Sequence, residues 1–407
     1  RAAFRGHRRV QSLPSTGRAR TGSSSSPPSK GESGKKKVET LEELMAKLET
    51  RRKKYGQGHF KVGLAHNLIG NYYFRRGQHD LAARYYDDAL QCFKGSCSNL
   101  PEYNDSSNSS GDDSSSTLSD EGGLGASELR HQLDVAVALG NIGAVFWSTG
   151  RLSEAVESLE KCVAIRSRVL AQRKHRQRRR RASNDSAGSD DERTEREDQK
   201  ERTDLSGALY SLGLARSLRG DYNEALDALN RSRDALLECL DRKAKFSGRD
   251  EAAAAAAAAL ASGRQDGRSA LARSMDEQAS RYSSEVADVE VELARVEDAR
   301  GKVHVLMGDA RSALDCHLKS YRSKSAVLGR SHPSALCSLT NAAEARSALG
   351  MWDEAESDLR DVLAELKLLS YKKGLSADAR KKLELDTENA NRVLGEVQRE
   401  KQRRNRR

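Results

Sequence analysis

Histidine and cysteine are the residue types here most able to bind a metal or act as a nucleophile, and their spacing argues against both roles. Six cysteines stand at 92, 97, 162, 239, 316 and 337. Only Cys92 and Cys97 are close, and a zinc knuckle needs a second close pair. The spacing fits no disulfide framework either, and a chain of 407 residues does not need one, so a reducing compartment is expected. His304, Cys316 and His317 fall on consecutive helical segments. They read as packed core residues rather than metal ligands. No Gly-x-x-x-x-Gly-Lys-Ser/Thr loop, Gly-x-Ser-x-Gly elbow or His-Glu-x-x-His pair occurs, and the GGLG at 122–125 follows no strand. The expectation is no catalytic constellation, no metal and no cofactor. Three serines could take a phosphate. Ser183 follows Arg180 and Arg181, Ser119 precedes Asp120 and Glu121, and Ser189 precedes Asp190, Asp191 and Glu192.

The elements that must position any site are helices in pairs. Gly followed five residues later by Ala recurs at Gly77/Ala82, Gly150/Ala155, Gly220/Ala225, Gly308/Ala313 and Gly350/Ala355. Seven residues before each marker glycine stands a small residue: Gly70, Gly143, Gly213, Gly301 or Ala343. After Gly77 the apolar residues Leu81, Ala82, Tyr85, Tyr86, Ala89, Leu90 and Phe93 fall on one helical face, as do Leu64, Leu68, Ile69, Tyr72 and Tyr73 before it. The glycine ends the first helix of each pair. Gly70 and Ala82 are expected where paired helices cross closely, with Tyr73 and Tyr86 filling the adjoining gap.

Five such helix–turn–helix units resemble the tetratricopeptide repeat, which stacks into a solenoid. The fold class implied is all-α, a right-handed α-solenoid of about five helix pairs with disordered inserts and tails. Gly308 and Gly350 lie 42 residues apart, and the link holds Gly329, His332, Pro333, Leu339 and Asn341. This is similar to the 42-residue repeats of kinesin light chains and nephrocystin, whose units begin with Gly-x-x-His-Pro. Gly58 and His59 look like a worn copy of that turn. The long heptad coiled coil of true light chains has no counterpart. Residues 39–54 make one short helix, which argues against a kinesin heavy chain as partner.

In solenoids of this family the first helix of each pair lines a concave groove. The resemblance therefore implies a peptide-binding line through Asn67, Asn71 and Arg75, then Asn141, Ala144 and Trp147, then Tyr210, Ser211 and Leu214, then Asp298 and Lys302, then Asn341 and Glu344. Asparagine suits such a line, because its amide both donates and accepts and can hold an extended backbone. The alternative for each Asn is a cap or a hydrogen bond between units, and Trp147 equally suits packing between units. The lysines that clamp a terminal carboxylate in chaperone-binding relatives are missing, with Asn67 and Gly207 in their places.

Composition sets the remaining boundaries. A basic tail at 1–38 is followed by a leading helix at 39–56 and units at 57–96, 132–170, 204–240, 284–329 and 330–370. Between them lie an acidic Ser-rich insert (97–131), an insert that starts basic and turns acidic (171–203) and an Ala-rich insert (241–283). A capping helix and basic tail fill 371–407. The inserts carry too little apolar surface to offset chain entropy and are expected as loops, with a stray helix in the poly-Ala run. Net charge is +11, concentrated in the two tails. The Arg173–Arg181 run could serve as a nuclear import signal or as a solvated charge run. Residues 1–30 lack acids, which suits either a transit peptide or a solvated tail. A non-catalytic adaptor in the cytoplasm, binding a protein or peptide in the groove and tuned by insert phosphorylation, is the first reading. The alternatives are a nucleic-acid-associated protein using its basic tails and an organellar accessory subunit.

Overall fold

The computed structural model describes residues 39–95, 126–182, 189–260, 265–372 and 374–406. The tail at 1–38, Ser119, Ser183, Cys97 and most of the acidic insert lie outside the described residues. Every regular element among the described residues is a helix. In chain order these are α1 (Leu41–Tyr55), α2 (Phe60–Arg75), α3 (His79–Gly95), α4 (Ala126–Ser148), α5 (Leu152–Ala182), α6 (Ser189–Arg219), α7 (Tyr222–Leu260), α8 (Gln265–Met307), α9 (Ala310–Leu328), α10 (Pro333–Ala348), α11 (Trp352–Ser370) and α12 (Ala377–Asn405). The fold class is all-α, built as a repeat solenoid of helix pairs. The chain divides into two bodies, one ending at Ala215 and one beginning at Arg216.

The helix pairs follow from their turns. Gly77, Gly150, Gly220, Gly308 and Gly350 all take positive φ, between 73° and 104°. That conformation costs a glycine little and lets the chain reverse within two or three residues. The links between pairs use a second device. At Gly56 (φ 87°) and Gly329 (φ 94°) the glycine N–H donates back to Arg52 O and Ser325 O. Three residues on, His59 and His332 cap the next helix, each Nδ1 accepting from a backbone N–H two residues ahead at 3.2 Å. The worn copy of the turn is therefore Gly56-x-x-His59. Gly58, the residue matched from sequence, sits inside it.

In the first body α1 opens with a capping box, Thr40 with Glu43, and lays Leu44 and Leu48 on Val62, Ala65, Ile69 and Cys92. Further small clusters join α3 to α4: Ala82 and Tyr86 with Ile142 and Val145, and Ala89 and Phe93 with Val135 and Ala138. Each helix thus packs mainly on its chain neighbours, as a solenoid requires. The small residues sit where expected. A Cβ on Gly70 would lie 2.5 Å from the Tyr86 ring, one on Gly143 2.8 Å from Leu159 Cγ, and one on Gly301 2.6 Å from the His317 ring. In the second body Leu336, Ala343, Ala355, Leu359, Val362 and Leu366 meet Leu383, Ala390, Val393 and Val397 of α12. α12 closes this stack with its polar side outward. Lys401 reaches Glu356 (2.9 Å) and Asp353 (2.5 Å), and the Arg404 guanidinium lies over Trp352.

Two inserts depart from expectation. Residues 171–182 continue α5, and 189–203 form the first half of α6. Arg166 pairs with Glu201 at 2.8 Å, both side chains 5% exposed, and Arg173 approaches Asp198 and Glu197 at 3.4 and 3.6 Å. Gln177 donates to Glu195 at 3.5 Å. The partners advance in opposite directions along the two helices, so the basic half of the insert zips onto its acidic half. Apolar content alone could not foresee this, because opposite charges on facing helices hold the segment. Likewise α7 runs through the poly-Ala stretch to Leu260 and α8 starts at Gln265, with Lys243 and Glu285 paired at 2.7 Å across the base of that hairpin. Alanine's helix propensity is the local cause.

Candidate peptide-binding surface

In the first body the first helices are α2, α4 and the last turns of α6 before Ala215. Asn67 and Asn141 are joined: Asn141 Nδ2 donates to Asn67 Oδ1 at 2.8 Å, and both side chains are buried. This bond ties consecutive first helices together across 74 residues of sequence. It takes one donor and part of one carbonyl, so each amide retains further capacity. Asn71 is half-buried and accepts from Tyr86 Oη at 2.8 Å, while Arg75 is exposed. The Tyr86 hydroxyl is buried, and desolvation drives its pKa well above that of a free phenol. It therefore stays a donor that fixes the Asn71 amide. Trp147 is 4% exposed, and its buried Nε1 has no acceptor among the described residues. Ala144 and Ser211 are buried, Ser211 donating to Gly207 O at 2.9 Å, and Tyr210 and Leu214 are half-buried.

In the second body the first helices are α8 and α10, and α12 packs beside α10 in the same manner. Lys302 is exposed on α8. Asn341 is half-buried on α10, and its Nδ2 is buried without a partner among the described residues. Glu344 lies 3.7 Å from Arg392 of α12. Asp298 does not line an open groove. It is buried, with Oδ1 3.0 Å from His317 Nδ1 and Oδ2 2.7 Å from Ser338 Oγ, and it pairs with the Lys324 ammonium. Lys324 also donates to Ser338 Oγ at 2.9 Å, and Ser320 Oγ lies 3.1 Å from Ser338 Oγ while donating to Ala294 O. This network ties α8, α9 and α10 together. His317 and Lys324 hold the Asp298 carboxyl well below the usual carboxylate range, against the opposing effect of burial. An ionised carboxylate only accepts, so His317 carries its proton on Nδ1.

His317 thus fills the gap beside Gly301 and bonds to Asp298, while His304 Nδ1 lies 3.5 Å from Asp309. No group of three or more His, Cys, Asp or Glu is placed to hold a metal among the described residues. Ser189 is the first residue of α6. The α12 residues beside the site, Asp386 and Arg392, were missed from sequence. Their only signal was the long polar helix after the last repeat. Asp386 has a buried Oδ2 without a donor among the described residues, and burial raises its pKa.

Family models described as tetratricopeptide repeat match residues 135–177 and 292–364. The chain carries tetratricopeptide repeats. The matched stretches cover most of α4 with α5, and the end of α8 through α11. Outside the matched residues, Gly77 and Gly220 take the same positive φ as the marker glycines within them. Among solved structures, BtubC (BKLC) from P. vanneervenii is 10% identical, covers 82% of this chain and 92% of its own, and superposes with a TM-score of 0.46. A Podosopora anserina chain of nearly identical kinesin-light-chain TPR-like repeats is 17% identical (76% and 96% covered, TM-score 0.37). The Rap conjugation gene regulator of plasmid pLS20, solved with the Phr* peptide, is 13% identical (91% and 80% covered, TM-score 0.34). At these identities and scores the three structures say nothing about partner or activity. No curated protein matches the sequence. No helix among the described residues is long and apolar enough to cross a membrane.

Proposed function

We propose that this tetratricopeptide-repeat protein is a non-catalytic adaptor that holds an extended peptide or partner helix along its first helices. The observation that carries this reading is a pair of orphan donors on those helices. Trp147 Nε1 in the first body and Asn341 Nδ2 in the second are buried without an acceptor among the described residues. Leaving a buried donor unmade costs about 1–3 kcal/mol, and a carbonyl of a bound chain would recover that. Asn67, Asn71, Arg75, Asn141, Tyr210 and Lys302 supply the neighbouring contacts in this proposal. The 42-residue spacing and the Gly329-x-x-His332-Pro333 turn favour the kinesin-light-chain-like subtype. Phosphate on Ser119, Ser183 or Ser189 would add about −1.5 to −2 charge per site and tune partner choice. The scattered cysteines suit work in the cytoplasm.

The test is selection of peptides from a random display library against the full chain. Affinities of the selected peptides are then compared for the parent, Trp147→Phe and Asn341→Ala, with helicity checked by circular dichroism. Trp147→Phe removes the indole N–H and keeps an aromatic ring. Each variant should weaken peptides seated on its own body by roughly 5–10-fold, about one hydrogen bond. Peptides that bind both variants as tightly as the parent would overturn the groove assignment.

A further inference from the structure

Where the side chains of α5 and α6 are described, Glu195, Asp198 and Glu201 are buried and most of the exposed charges are basic. Over 190–198 the sequence holds six acids and two arginines, which reads as acidic. In the structure Glu195, Asp198 and Glu201 are buried against Arg166, Arg173 and Arg202. Over 166–179 and 193–203, nine residues are exposed. Six of them are Arg or Lys, and Glu197 is the one acid. The six are Arg168, Arg178 and Arg179 on α5 and Arg193, Arg196 and Lys200 on α6. Arg193 also lies 3.4 Å from Glu197, and the remaining exposed positions are Ala171, His175 and Glu197 itself.

The rows follow helix geometry. Positions 168 and 179 are three turns apart on α5, roughly 16 Å, and 193, 196 and 200 share one face of α6 over roughly 10 Å. We propose that this outer face of the α5–α6 hairpin binds the phosphate backbone of double-stranded nucleic acid. It goes beyond the groove reading and does not depend on it. Three observations select the partner. A duplex presents one negative charge per about 1.7 Å of its axis, dense enough to meet both rows. The exposed positions include no Phe, Tyr or Trp for stacking unpaired bases, which single strands use. They also include no large apolar residue, which a protein interface centres on and a membrane-seated helix inserts. Arginine predominates, and its guanidinium fork matches phosphate oxygens. Such contacts position without reading sequence.

The test uses the full chain. Binding to a labelled duplex of about 20 base pairs, as DNA and as RNA, is followed by fluorescence anisotropy across a salt series. The comparison is with the fourfold variant Arg168→Gln, Arg178→Gln, Arg193→Gln and Lys200→Gln, checked for unchanged helicity and melting. The parent should bind with a log–log salt slope of several units. The variant should lose at least tenfold in affinity and flatten the slope by about 3–4, near one for each phosphate contact removed. A second variant lacking residues 1–38 should keep most of the hairpin's contribution. The proposal fails if the parent does not bind duplex, or if the fourfold variant binds with the parent's affinity and slope. It also fails if phosphatidylserine-containing vesicles or poly-glutamate bind more tightly than duplex at equal salt.

Discussion

Asp298→Ala removes the hub of the buried network between α8, α9 and α10. The Lys324 side chain is 4% exposed and would lose its carboxylate partner, keeping only Ser338 Oγ at 2.9 Å. His317 Nδ1 and the Ser338 hydroxyl would each lose an acceptor, at 3.0 and 2.7 Å. Stranding a buried charge costs about 3–5 kcal/mol, and each neutral hydrogen bond adds about 1 kcal/mol where water cannot replace it. A total near 5–7 kcal/mol corresponds to a fall in Tm of roughly 10–28 °C for a body of this size. Thermal unfolding by circular dichroism at neutral pH reads it. The double variant Asp298→Ala/Lys324→Met removes the stranded charge and should recover at least half of the loss. A single variant within about 1 kcal/mol of the parent, or a double variant no better than the single, would refute the assignment of Asp298 as a buried counter-ion. The pH dependence has a defined sign. The folded carboxyl titrates below its ordinary value of 3.8. The pair's contribution is therefore full above that value and is lost as pH falls from it through the folded-state pKa.

Two further outcomes follow from the packing. Gly70→Ala would set a Cβ 2.5 Å from a Tyr86 ring that is 1% exposed and tethered to Asn71. It should destabilise the chain by about 1–3 kcal/mol, with Gly70→Ala/Tyr86→Leu less affected than the single change in chemical denaturation. Burial pushes the Asp134 carboxyl on α4 from 3.8 up to about 6, so its ionised form is carried at a cost above that pH. Asp134→Asn should then raise stability at pH 7.5 by about 1–2 kcal/mol, reduced for partial exposure. The gain should shrink as pH falls below about 6, where the parent takes up the proton. Equal gains at pH 7.5 and pH 5 would contradict the cause assigned to the shift.

What the sequence determined by itself is local and periodic. The Gly–Ala markers located the helix pairs, because a positive-φ glycine and a 3.6-residue apolar face are properties of short stretches. The close crossings at Gly70 and Gly143 followed, since small and large residues recur at fixed offsets within one pair. Sequence offered a line of positions on the first helices, but not what each side chain there touches. Tertiary structure decided that Asn141 bonds to Asn67, that Asp298 turns into a network with Lys324 and Ser338, and that a charged insert forms a helical hairpin. Each of these joins residues far apart along the chain. An amide, a carboxylate or an arginine reads the same in sequence whether it faces water or a partner. Only the approach of another helix sets its desolvation and its counter-charge, as Arg166 and Arg173 do for Glu201 and Asp198.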